Sequence, residues 1–117
     1  MIKKMNYAIV SAKRFRRDFK KLFKKYRSLE DDVEELKKEL LKNPTMGDPL
    51  GMNAYKVRMA ITSKGGGKSG GARVITCHVL INVELSKIYL LTMYDKGEQD
   101  TISKDRIAEL KRETGLA

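Results

Sequence analysis

The chain has one cysteine, one histidine and no long apolar run, and each shortage removes a class of function. Cys77 alone cannot form an internal disulfide, and nothing else argues for an oxidising compartment. His78 alone excludes a nuclease that uses two histidines as acid and base. No stretch approaches the roughly 18 apolar residues of a membrane span. The N-terminal residues are charged and lack an apolar signal-peptide core, so a cytoplasmic protein that makes no use of a membrane is expected. The carboxylates are scattered over predicted helices and turns. Cys77 and His78 therefore lack further metal ligands, and no metal or cofactor is expected. Adjacent strand residues point to opposite faces, which disfavours a Cys77–His78 nucleophilic pair. No Asp/Glu pair has the spacing of a glycosidase or protease site. Gly67-Lys68-Ser69 looks like the end of a phosphate loop. The full pattern, however, needs a glycine where Thr62 stands, and a helix where a strand is predicted.

What is abundant is positive charge. The 117 residues carry a net +10 and fit one domain, 1–117, large enough for a single core. Residues 1–27 hold eleven Lys or Arg and one acid, Asp18, while the rest is neutral in sum, so the whole excess sits at one end. Such clustering suits a polyanion or an acidic protein; it also suits a solvated helix face that keeps the protein soluble.

Met5 to Val10 is predicted to be a first strand, and Ser11 to cap the helix that follows. Phe15, Phe19, Leu22, Phe23 and Tyr26 recur at helical spacing and form a buried stripe. Lys13, Arg14, Arg16, Arg17, Lys20, Lys21, Lys24 and Lys25 then lie outside or beside it. Ser28 reads as the next cap, with Glu30, Asp31 and Asp32 favourably placed in the first turn. Val33, Leu36 and Leu40 give that helix its buried face, and Asn43-Pro44 stops it. The two helices form a hairpin. Thr45 to Asn53, with Gly47, Pro49 and Gly51, is predicted to be a loop.

The centre of the chain is Tyr55 to Asp95. Tyr55–Ile61, Arg73–Ile81 and Lys87–Tyr94 read as three strands of an antiparallel meander, with a glycine-rich mobile tip between the first two. Alternation puts Lys56, Arg58 and Ala60 on one face and Val57, Met59 and Ile61 on the other. The second strand has no purely polar face, so it is expected to be central. Alternation alone leaves open which of its faces Arg73 shares with Lys56 and Arg58. A polar turn, Asp95–Asp100, follows the third strand. Ser103 caps a last helix carrying Ile107 and Leu110, and Gly115 ends it. The order β-α-α-β-β-β-α predicts an α+β fold: a small, mostly antiparallel sheet with a helical hairpin on one face. The other face is left partly open and carries cations.

Lys56, Arg58, Arg73 and Lys96 are the remaining site candidates. If they converge, they can hold a phosphate and stabilise the charge of phosphoryl transfer, with the RNA 2′-OH as nucleophile and no metal. A solvated sheet face explains the set equally well. Lys64 and Lys68 at the tip are placed to touch a backbone phosphate. His78 on its strand reads as a packed residue or as a base.

Taken in this element order, Tyr55-Lys56-Val57-Arg58, Gly70-Gly71-Ala72-Arg73-Val74-Ile75 and Leu90-Leu91-Thr92-Met93-Tyr94-Asp95-Lys96-Gly97-Glu98 resemble the RelE/HigB branch of the RelE/ParE toxin superfamily. The resemblance spans nearly the whole chain and is densest from Leu50 to Ser103. It implies a RelE-like fold and a type II toxin: an endoribonuclease that cleaves mRNA on the ribosome and is neutralised by a cognate antitoxin. It further implies that Arg73 contacts the scissile phosphate, that Lys56 and Arg58 are the paired basic residues of the preceding strand, and that Lys96 assists after the last strand. Cations of the first segment would hold ribosomal RNA. The tyrosine that family members carry beyond the last strand has no counterpart in Asp100-Thr101-Ile102; Tyr94 is the substitute and His78 the second candidate. Thr76-Cys77-His78 stands where many members have an aromatic. Two alternatives accompany this reading: a ParE-like, non-nuclease inhibitor of DNA gyrase, and an inactive relative that binds only RNA or antitoxin.

Overall fold

The computed structural model describes residues 5–99 and 101–116. Strand β1 (Asn6–Ser11) leads into helices α1 (Lys13–Phe23) and α2 (Leu29–Lys42). Strands β2 (Asp48–Gly51) and β3 (Ala54–Met59) follow, then a helical turn, α3 (Gly67–Gly70). Strands β4 (Ala72–Leu80) and β5 (Leu85–Asp95) and helix α4 (Lys104–Glu113) complete the fold. The five strands form one sheet in the order β1-β5-β4-β3-β2. Only β1 runs parallel to its neighbour β5; the other pairings are antiparallel. The predicted α+β class and mostly antiparallel sheet are therefore present, with a helical hairpin on one face.

The alternation expected of β3 holds. Val57 and Met59 join Val74, Ile88, Leu90 and Met93 in a core closed by Phe15, Leu22, Tyr26, Val33, Leu36 and Leu40 of the two helices. Ala72 to Cys77 of β4 are all buried, as a central strand requires.

Three expectations need correction. Ser11 is the last residue of β1, and Ala12 takes the cap position of α1 without a side-chain bond. Ser28 does precede α2, but its hydroxyl bonds Asp32 and Ser63 instead of the helix N–H groups. The segment 45–53 is not all loop: Asp48 and Pro49 pair with Lys56 and Tyr55. Proline is tolerated there because β2 is an edge strand. The outer sheet face is covered in part. Leu110 of α4 packs with Ile75, Cys77, Leu91 and Tyr94 in a second core. Ser103 does cap α4, accepting the Arg106 N–H at 3.1 Å.

Strand β5 carries one extra residue: Ile75 pairs with Thr92, but Thr76 pairs with Leu90. β1 has ended by this point, since Ser11 pairs with Leu90. The Met93 N–H is therefore left without a strand partner. Asp18, the one acid of the basic segment, accepts that N–H at 3.1 Å and also the Thr92 hydroxyl. Arg14 holds the same carboxylate at 3.1 Å. One turn of α1 thus closes the edge that β1 leaves open.

Candidate functional site

The strand register decides what alternation left open. Arg58 of β3 lies directly opposite Arg73 of β4, and Arg73 lies opposite Tyr94 of β5. The three form a row across adjacent strands that are about 4.8 Å apart. Lys56 is two residues from Arg58 and shares its face. These residues alternate with Val57, Met59 and Val74 of the helix-side core, so the row lies on the face away from α1 and α2.

Arg58 is exposed, Lys56 half-buried, and Tyr94 and Arg73 buried, Arg73 at 4%. Like charges directly opposite one another on a sheet are destabilising. Among the described residues, no carboxylate lies within ion-pair distance of Lys56, Arg58 or Arg73. The Arg73 guanidinium instead meets carbonyls. Nη1 donates to Lys68 O and Ala72 O, both at 3.1 Å, and Nη2 donates to Ser69 O at 3.0 Å. Five N–H groups are available on a guanidinium; Nε–H and one Nη2–H of Arg73 make no hydrogen bond among the described residues. Lys96, just past β5, has an exposed side chain, and its N–H is held by Gly71 O at 3.0 Å. Asp48 is a residue that sequence reasoning missed: it pairs with Lys56 in register and brings a carboxylate to the same face. Its place in a predicted loop hid it, and no local pattern announced the strand.

The tip lysines are engaged elsewhere. Lys64 binds Asp95 at 2.7 Å, and Lys68 binds Glu39 of α2 at 3.0 Å. Asp95 is buried and also accepts the Tyr26 hydroxyl at 2.7 Å and the Gly97 N–H at 2.9 Å. Burial pushes the Asp95 carboxyl up, but the bonds from Lys64, Tyr26 and Gly97 and the Lys64 charge outweigh it and hold the group below its ordinary value. Lys64 is thus held in an ion pair with a buried carboxylate. His78 alternates with Cys77 onto the helix-side face, and its ring centroid lies 6.3 Å from that of Tyr7. The structure therefore does not bring His78 to the arginine row.

Lys13, Arg14, Arg16, Arg17, Lys20 and Lys21 of α1, and Lys24 at its C-terminal cap, are all exposed. Arg14 is paired with Asp18, and Arg16 donates to Ser11 O at 2.6 Å. A cleft of about 160 Å³ connects this helix to the row; Arg14, Lys21, Tyr94, Gln99 and Arg106 are among its walls. Lys3 and Lys4 of the basic segment, and Asp100 of the turn after β5, lie outside the described residues. Among those residues, no group of acids, histidine and cysteine is arranged to hold a metal ion, and no helix is long and apolar enough to cross a membrane.

This sheet, crossed by a helical hairpin on one face and a C-terminal helix on the other, defines a RelE-like α+β fold. Among the solved structures it matches is that of the E. coli toxin RelE, in the free state as a double arginine-to-alanine variant. The match has a TM-score of 0.54 at 16% sequence identity and covers 95% of this chain and 96% of that one. No family model matches the chain.

Proposed function

We propose that the chain is a RelE-type toxin of a toxin–antitoxin pair, and that it cleaves mRNA on the ribosome at the row Arg58–Arg73–Tyr94. The observation that carries this reading is the Arg58–Arg73 cross-strand pair without a carboxylate. Like charges on directly opposite strand residues disfavour the fold, and a phosphate bound by both would reverse the sign of that interaction.

The chemistry follows from the charges. The RNA 2′-oxygen attacks the adjacent phosphorus and gives up its proton, forming a 2′,3′-cyclic phosphate. The bond from phosphorus to the 5′-oxygen breaks, and that oxygen takes up a proton. Charge builds on the non-bridging oxygens in the transition state, where Arg58 and Arg73 stabilise it. Lys56 orients the strand, Lys96 meets the leaving group, and the Tyr94 hydroxyl is the nearest candidate to hold the 2′-OH. The exposed cations of α1 bind ribosomal RNA through its backbone. An acidic antitoxin segment suits the same surface.

Primer extension on a defined mRNA, in a purified translation system with and without ribosomes, tests the proposal. New 5′ ends inside the coding region, seen only with ribosomes and lost in Arg73→Glu, are expected. Full cleavage by folded Arg73→Glu protein would sink the site. Inhibition of purified gyrase, with ribosomes unaffected, would replace the nuclease reading with the gyrase one.

A further inference from the structure

We propose that Gly66–Gly70 is a cover over the Nη1–Nη2 edge of Arg73, displaced when a polyanion binds, so that the full guanidinium is presented to phosphate only in the bound state. This rests on the reading of Arg73 as a phosphate ligand. The carbonyls of Lys68 and Ser69 occupy Nη1 and Nη2 of Arg73, one of the two edges on which a guanidinium engages phosphate in bidentate fashion; the Nε–H and the second Nη2–H form the other edge and carry no loop carbonyl among the described residues.

The segment is firm at its ends and weak between them. On its N-terminal side, Lys64 is clasped by Asp95. Asp32 accepts both the N–H and the hydroxyl of Thr62, at 3.0 and 2.6 Å. The Ser63 N–H bonds Ser28 Oγ at 2.9 Å. On its C-terminal side, Gly71 is locked: a Cβ there would lie 2.1 Å from Met59 O, and its own carbonyl holds the Lys96 N–H. Between these anchors, Gly65, Gly66 and Gly67 all have positive φ (80°, 84° and 63°). No heavy atom stands within 4 Å of a Cβ built on Gly65 or Gly67. These residues are a hinge with free space around it.

Apart from the two carbonyls on Arg73, the bond that ties the cover down is Lys68–Glu39. Its side chains are 56% and 41% exposed, and solvent-accessible pairs of this kind are weak. Polyphosphate competes with Glu39 for Lys68. It also offers Arg73 charge-assisted hydrogen bonds, roughly twice as strong as those from neutral carbonyls. A buried guanidinium with no carboxylate is poorly compensated in the closed state, so both exchanges favour opening.

Phenylglyoxal modification of the full chain, mapped by peptide mass spectrometry, reads the cover directly. Arg73 should react more slowly than exposed Arg58. Glu39→Ala removes the tie at a half-buried helical position. It should speed reaction at Arg73 about two- to fivefold, the worth of an exposed ion pair, and leave Arg58 unchanged. Affinity for a short single-stranded RNA oligonucleotide, followed by fluorescence anisotropy, should rise by a similar factor. That gain should vanish when Arg73→Gln is combined with Glu39→Ala; Arg73→Lys serves if the Gln variant does not fold. Unchanged Arg73 reactivity in Glu39→Ala would overturn the cover. So would an affinity gain that persists without Arg73, because it would come from removing a negative charge. RNA affinity indifferent to both Arg73 substitutions would overturn instead the assignment of Arg73 as a phosphate ligand.

Discussion

Tyr26→Phe removes one oxygen and keeps the ring, so it isolates the hydrogen bond to Asp95. Tyr26 is 8% exposed and Asp95 2%, and the bond spans 2.7 Å. The ring stays in the core with Phe15, Leu22 and Leu29, so no cavity opens. What is lost is one of three donors to a buried carboxylate; Lys64 and the Gly97 N–H remain. A hydrogen bond to a charged group contributes about 1.5–3 kcal/mol. For a chain of this size that corresponds to a fall in Tm of roughly 6–12 °C. The effect depends on pH with a definite sign. The Asp95 carboxyl is held below its ordinary value in the folded protein. It therefore stabilises the fold above the unfolded carboxylate value of about 3.9, and that stabilisation is lost as pH falls through the lower, folded value. Once Asp95 is protonated, the Tyr26 bond is between neutral groups and contributes about 1 kcal/mol. Urea denaturation of native and Tyr26→Phe protein at pH 7, and again at the lowest pH at which both still fold, should show a larger difference at pH 7. A loss below about 0.5 kcal/mol at pH 7, or one that grows on acidification, would refute the account of Asp95 as a charged, buried acceptor.

Gly71→Ala should be severely destabilising, by about 3 kcal/mol, because the new methyl meets the Met59 carbonyl at 2.1 Å and the Ile61 nitrogen at 2.8 Å; thermal melts check it. Asp18→Ala should cost about 1–3 kcal/mol, since it strands the Met93 N–H and the Thr92 hydroxyl at the bulge. Equal denaturation midpoints for that variant and the native chain would mean that the edge of β5 needs no partner from α1. Arg58→Gln should leave the fold unchanged or raise its stability by about 0.2–1 kcal/mol, by relieving the repulsion across from Arg73. The same change should weaken RNA binding and lower the slope of log affinity against log salt by about one. A destabilised Arg58→Gln protein with unaltered RNA binding would make Arg58 a packing residue.

Much of this protein is written locally. The aromatic stripe from Phe15 to Tyr26 and the alternation from Val57 to Met59 specify which faces are buried, because 3.6- and 2-residue periods are properties of short segments. They also separate Lys56 and Arg58 from the core without any knowledge of the fold. The excess charge of residues 1–27 is likewise plain in the sequence, as is the capping serine at 103. The rest depends on residues far apart in the chain. β2 was hidden because Pro49 and Gly51 discourage a strand, and only the antiparallel run of β3 beside it supplies the pairing. The fate of the tip lysines was equally illegible: Asp95 is 31 residues from Lys64, and Glu39 is 29 from Lys68. A lysine in a glycine-rich turn looks free until those partners arrive. Arg73 shows the division most clearly. Its presence beside two glycines is a sequence fact. Its position opposite Arg58 and its burial under the Lys68 and Ser69 carbonyls follow from the length and path of the segment joining β3 to β4. Register is a long-range quantity, set by how two strands and their connection close together, and no window of neighbouring residues contains it.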